Sequence, residues 1–188
     1  MTVSFLRPAV AASYDAVARR LHWSMAVLIA AAFALGLTVD VFPKSWEYAV
    51  VETHKVIGIT ILLLLLIRFG WRLTHRPPPL AESSALLAVA ARAGHAGLYL
   101  LMLIVPVIGL VYAIRRGQGF DFGLFALPPF QAAEPRAMTR PLRQWHEWAA
   151  YGLIALACLH ALAAFWHHFI RKDATLRRML PVSPRQGL

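Results

Sequence analysis

Four long apolar runs, near residues 21–42, 53–72, 94–114 and 145–170, limit what this chain can fold into. Each has about the length a helix needs to cross the hydrocarbon core of a bilayer. The chain is 59% apolar over its 188 residues, where a soluble domain sits nearer half, and the excess is gathered in these runs. The expected fold is all-α: an integral membrane four-helix bundle in one transmembrane domain spanning residues 1–188. The first run is too long, and too poor in a small-residue cleavage site, to be a removed signal peptide, so it counts as a permanent span.

A formal net charge of +10 suggests nucleic acid only until the charges are mapped. Basic residues gather before the first run (Arg7, Arg19, Arg20), around the second connection (Arg68, Arg72, Arg76, Arg92) and in the tail (Arg171, Lys172, Arg177, Arg178, Arg185). Acidic residues favour the other two connections, with Asp40, Glu47, Glu52, Asp121, Glu134 and Glu147. The positive-inside rule then places both termini in the cytoplasm. The charge reports topology, with membrane lipid as the surroundings and no nucleic acid as partner.

Three connections follow. The first, "DVFPKSWEYAVVE", is short and carries interfacial aromatics. The second begins with three prolines, which stop a helix. Its later part, Glu82 to Arg92, suits a short helix on the membrane surface. The third runs from Arg115 to Arg143, mixes Gly, Pro and aromatics, and reads as an ordered external cap, since loops this long are usually functional or disordered.

Histidines are the polar residues that these spans have to explain. With spans alternating in direction, His54 and His146 both start helices at the external side. His22 starts the first helix at the cytoplasmic side. His160 lies fourteen residues beyond His146, about 21 Å along a helix axis and about four turns round it, hence on the same face. Two imidazole pairs result at matched depths: His54 with His146 outside, and His22 with His160 inside. Facing imidazoles across a bundle are what a six-coordinate haem iron requires. Two such haems stacked across the membrane would carry electrons through it. The single cysteine, Cys158, rules out an intramolecular disulfide, and no C-x-x-C-H run is present for covalent haem attachment.

Neighbouring residues suit this reading. Gly36 is fourteen residues after His22, on its face at the outer level, and Gly58 is one turn after His54; both leave room for a flat macrocycle. Arg68 presents a guanidinium at the inner level, matched to a haem propionate. His95, at the inner start of the third helix, rivals His22 or His160 as a ligand. His167 and His168 fall about 10 Å beyond His160, at the cytoplasmic interface, where one suits a second substrate.

The segments "ARRLHWSMA", "THKVIGITILLLLLIRFGWRL", "GHAGLYLLMLIVPVIGLV" and "WHEWAAYGLIALACLHALAAFWHHFIRKDATLRRMLP" together resemble the bacterial cytochrome b561 family, from about Tyr14 to Pro181. The resemblance implies a multi-pass cytochrome of the bacterial inner membrane holding two haem b groups. Its ligand positions fall on His22, His54, His146 and His160, in agreement with the depth argument. The member type this sequence most resembles takes electrons from superoxide outside and gives them to ubiquinone. On that reading Lys55, Arg115, Arg116 and Arg143 supply a positive potential that steers superoxide, and His167, Trp166 and Lys172 frame the ubiquinone site. Two other readings stay open: a quinone-linked cytochrome b subunit fed by a partner dehydrogenase, and a non-enzymatic haem-binding membrane protein.

Overall fold

The computed structural model describes residues 13–75, 78 and 84–180. Four helices follow one another: α1 (Ala16–Thr38), α2 (Lys44–Thr74), α3 (Ala85–Arg115) and α4 (Arg136–Phe169). All four are long and apolar enough to cross a membrane. A 3-10 turn at Val39–Val41 joins α1 to α2. A small antiparallel hairpin, β1 (Phe120–Asp121) with β2 (Ala126–Leu127), lies between α3 and α4. A second 3-10 turn, Arg177–Met179, follows α4.

The helices outrun the limits expected from hydropathy. α2 begins at Lys44, directly after Pro43, so most of the expected first connection is helical. α3 begins at Ala85 and runs unbroken to Arg115; the expected surface helix is its first turns. Glu82, where that surface helix was expected to start, and the basic residues Arg7, Arg76 and Arg185 lie outside the described residues. A helix of 31 residues, the length of α2 and α3, is about 46 Å long, well beyond a hydrocarbon core of about 30 Å. Hydropathy reads only the part in lipid. Pro106 and Pro141 sit inside α3 and α4, a position that spans tolerate because neighbouring groups satisfy the freed carbonyl.

Packing is sparse, as expected where lipid covers most helix faces and apolar burial gives little drive between helices. α2 packs against both α1 and α3, and α3 against α4, while the flank between α1 and α4 is thinly packed. The buried centre joins Met25 of α1, Ile61 and Leu65 of α2, Met102 of α3 and Leu153 of α4.

Polar bonds close the two ends. At the end formed by the start of α1 and the end of α4, the terminal end, Asp15 caps α1 through the Ala18 N–H at 2.9 Å and also accepts from Trp71 of α2. The segment after α4 folds back on α1: Trp23 Nε1 donates to the Met179 carbonyl at 2.9 Å, and Arg19 donates to the Leu180 carbonyl. At the opposite end, α3 stops at Gly117, whose φ of 63° lies in the left-handed region that glycine enters without strain. An added Cβ there would also sit 2.7 Å from the Ala133 nitrogen.

The packing separates two leucines two residues apart, Leu65 at 5% exposure and Leu63 at 55%. Leu65→Ala should cost about 2–3 kcal/mol through the cavity it leaves. Leu63→Ala exchanges one lipid-facing group for another and should cost little. Thermal unfolding in detergent, read for both variants, checks the difference.

Candidate functional site

At the hairpin end, His54 of α2 and His146 of α4 face each other with ring centroids 5.9 Å apart and planes at 80°. Each ring is braced from a neighbouring helix. His54 Nδ1 donates to the Ala32 carbonyl of α1 at 2.8 Å, and His146 Nδ1 donates to the Val105 carbonyl of α3 at 2.9 Å. Both carbonyls lie one turn before a glycine, Gly36 and Gly109. A Cβ on Gly36 would sit 3.2 Å from His54 Cε1, and one on Gly109 would sit 2.9 Å from His146 Cε1. The two glycines therefore let an imidazole lie against a helix backbone and reach its carbonyl. With Nδ1 as donor, the neutral ring holds its lone pair on Nε2, the arrangement seen in metal-ligating histidines.

At the terminal end, His22 of α1 and His160 of α4 stand 6.2 Å apart, with planes at 70°. They bridge the thinly packed flank between α1 and α4. His95 of α3 lies 5.3 Å from His160, with its Nδ1 donating to Ala91 of its own helix at 2.7 Å. Arg68 of α2 reaches this level too. Its Nε donates to Tyr99 Oη at 3.0 Å, while its Nη1 is buried without a hydrogen-bond partner. Arg68 also lines a cavity of about 470 Å³ with Arg72, Trp71, Asp15 and Tyr99.

These positions suit haem. Iron bound to imidazole at about 2 Å on each side holds two ring centroids a little over 6 Å apart. The pairs at 5.9 and 6.2 Å match that separation; His95 and His160, at 5.3 Å, are about an ångström too close. A buried, unsatisfied guanidinium nitrogen calls for an anion, and a propionate carboxylate supplies one.

The expected glycines divide. Gly36 gives its clearance to the His54 ring, and Gly58 faces open space. Gly109 escaped the sequence reading, although it lies in α3 and serves His146 as Gly36 serves His54. The four cations near the hairpin end are mostly engaged. Lys55 Nζ contacts Glu52 at 2.6 Å, donates to the Gly119 carbonyl at 2.6 Å and sits over the Phe120 ring, with its side chain 9% exposed. Arg115 pairs with Glu134 at 2.7 Å, and its guanidinium holds that carboxyl below the usual carboxylate range. Arg143 pairs with Glu147 at 3.2 Å, and Arg116 donates to the Glu134 carbonyl. In the last turn of α4, His167 Nδ1 meets Asp173 Oδ2 at 2.5 Å. Trp166 is exposed, and Lys172 holds a φ of 54°. Asp173 and Thr175 were missed in the sequence; their signal is the Asp-x-Thr turn of "KDAT".

Four apolar helices enclosing paired imidazoles define a membrane cytochrome of the b type. A family model described as prokaryotic cytochrome b561 matches residues 13–182, and the chain belongs to that family, whose members bind b-type haem and carry electrons across a membrane. It is 36% identical over 171 residues to cytochrome b561 homolog 2 of Escherichia coli strain K12, covering 89% of this chain and 90% of that one. It is 32% identical over 170 residues to the probable superoxide oxidase CybB of Yersinia pestis, covering 89% and 96%. Cytochrome b561 homolog 1 of Escherichia coli strain K12 is 33% identical over 172 residues, covering 86% and 93%.

Alanine at the three glycines separates their roles. Gly109→Ala should displace His146 and lower the melting temperature and haem content of the purified protein. Gly36→Ala should do so less, because its contact is looser. Gly58→Ala, which meets no protein atom, should leave the melting temperature of the haem-free chain as in the parent. Equal effects at all three positions would contradict the bracing role.

Proposed function

We propose that this protein is a superoxide:ubiquinone oxidoreductase of the bacterial inner membrane, with both termini in the cytoplasm. The observation that carries the reading is the presence of two imidazole pairs, one toward each end of the bundle, at separations that fit iron. The similarity to a probable superoxide oxidase supports the choice of donor, and the basic residues at the terminal end support the orientation.

His54 and His146 would hold an outer haem b, and His22 and His160 an inner one. Arg68 would take a propionate of the inner group through its buried Nη1, with Tyr99 fixing the guanidinium plane. Bound haem supplies a one-electron carrier at each level. The protein excludes water between the levels with the Met25, Ile61, Leu65, Met102 and Leu153 cluster. At the external face, superoxide gives up one electron and leaves as dioxygen; it needs positive potential near the site more than a pocket. Lys55 is held as a clamp on the hairpin. Arg115 and Arg143 are offset by their carboxylates, so Arg116, resting on a carbonyl, contributes the least compensated charge. At the cytoplasmic face, ubiquinone takes two electrons and two protons, and His167, with Trp166 and Lys172 beside it, lies where a lipid-borne quinone arrives.

One observation favours a second reading, a cytochrome subunit docked to an external dehydrogenase. The hairpin tip exposes Leu124 and Phe125, and the loop after β2 exposes Phe130, with Leu124 at 97%. A partner retained through mild purification would support that reading; a lone protein reduced by superoxide would support the first.

Single replacements test the haem assignment. His54→Ala or His146→Ala should leave one haem per chain, and His22→Ala or His160→Ala should remove the other. Loss of a haem from His95→Ala, with none from His22→Ala, would reassign the inner pair. Arg116→Gln should slow reduction of the protein by superoxide and flatten its dependence on ionic strength, measured by stopped flow. Unchanged rates at low salt would remove the steering role.

A further inference from the structure

The segment that follows α4 is built around one carboxylate. Asp173 Oδ2 meets His167 Nδ1 at 2.5 Å, and Asp173 Oδ1 accepts from the Thr175 N–H at 2.8 Å. The Asp173 N–H donates in turn to the His167 carbonyl at 3.1 Å, closing a loop of bonds on the last turn of α4. Lys172 adopts its left-handed backbone between them. The side chains are mostly buried, 17% exposed for His167 and 25% for Asp173. Burial alone pushes the Asp173 carboxyl up, but the bonds from Thr175 and His167 outweigh it and hold the group well below the usual range.

This hook does not hang free. Trp23, which donates to the Met179 carbonyl, is the neighbour of His22, and the two rings are in edge contact at 5.3 Å. Tyr14 and Arg19 add bonds to Arg178 and Leu180. The segment that positions Asp173 is therefore tied to the helix carrying one of the inner histidines.

We infer that Asp173, set by the Thr175 turn, is a positioning residue that fixes the rotamer and tautomer of His167, so that Nε2 of this ring delivers the protons taken up by ubiquinone. This rests on the superoxide:ubiquinone reading above. Two superoxide ions each lose one electron and leave as dioxygen. One ubiquinone takes those two electrons and two protons and becomes ubiquinol. Asp173 keeps a proton on Nδ1 and stabilises the ring as an imidazolium. Nε2 gives its proton to the quinone oxygen facing it, the ring regains one from cytoplasmic water, and the second transfer repeats the first. Among the described residues, Asp173 meets the ring, Lys172 precedes it in the chain, and Arg177 donates to the Lys172 and Asp173 carbonyls. Among these, Asp173 is the one anion.

The test uses the full-length, haem-loaded chain, reduced with dithionite so that superoxide plays no part. Its reoxidation by a short-chain ubiquinone is followed by stopped flow from pH 5.5 to 9. Asp173→Asn should slow reoxidation about 10-fold or more, the scale of a lost positioned proton donor or its outer partner. The fall in rate at high pH should begin at lower pH than in the parent chain. Asp173→Glu should restore most of the rate. In a His167→Gln background, Asp173→Asn should have no further effect, because it acts through that ring. If Asp173→Asn gives no haem-loaded protein, Thr175→Val, which removes the hydroxyl 3.5 Å from Nδ1, should show the same change in pH profile at smaller size. Parent-like rate and pH profile in whichever variant is measured would overturn the inference. A parent chain that ubiquinone does not reoxidise at all would instead overturn the functional reading.

Discussion

An imidazole N–H has no water to bond in hydrocarbon, and in this bundle it finds a backbone carbonyl on another helix. That single bond, made twice at the hairpin end, organises much of the rest. A helix carbonyl already accepts from the residue four positions on, yet it keeps a second lone pair. Reaching it requires the ring to lie against the helix backbone, which a side chain at the next turn would prevent. Gly36 and Gly109 remove that side chain. The bonds then fix the distance of α2 from α1 and of α4 from α3, and set the tautomer that leaves a lone pair on each Nε2.

The two ends of the bundle do a different job, because polar bonding there competes with water rather than with lipid. At the hairpin end, Lys55 joins α2 to the loop between α3 and α4 through Glu52, Gly119 and Phe120, with Asp121 N–H on the same Glu52. Its ammonium is buried, so the pair matters more for holding the hairpin in register beside His54 than for any long-range field. The hook after α4 is the counterpart at the terminal end. Each device sits within a turn or two of a histidine that the proposed reaction uses, so the connections keep the reactive ends of the helices in place.

The four spans and both histidine pairs were legible in the sequence, because length in lipid and depth along a helix are one-dimensional properties. Helix limits were less so. The extension of α2 back to Lys44 and of α3 back to Ala85 runs through charged or mixed sequence that hydropathy assigns to loops. Gly36 was singled out for close approach to its helix, and the protein group that lies against it is His54. Gly109 went unread because its value depends on His146, which arrives from another helix. The cations at the hairpin end were read in the sequence as steering charges; Arg115 pairs with Glu134, nineteen residues away, a pairing that only the folded loop reveals. Asp173 went unread because its partner, His167, is reached only through the turn after α4.

The two histidine levels are not equivalent, and the difference has the sign that the proposed direction of flow requires. At the hairpin end, each ring donates from Nδ1 to a carbonyl of another helix, which makes Nε2 more basic and favours the more oxidised state of a bound metal. At the terminal end, neither His22 nor His160 has such a bond among the described residues. Arg68 instead brings a positive charge to that level. Standing alone it favours the state with one more electron, and paired with a propionate it cancels a charge that would oppose that state. With haem held at both levels, both differences would make the terminal end, beside His167 and the hook, the more electron-attracting. The bond from Arg68 Nε to Tyr99 Oη holds that charge in place.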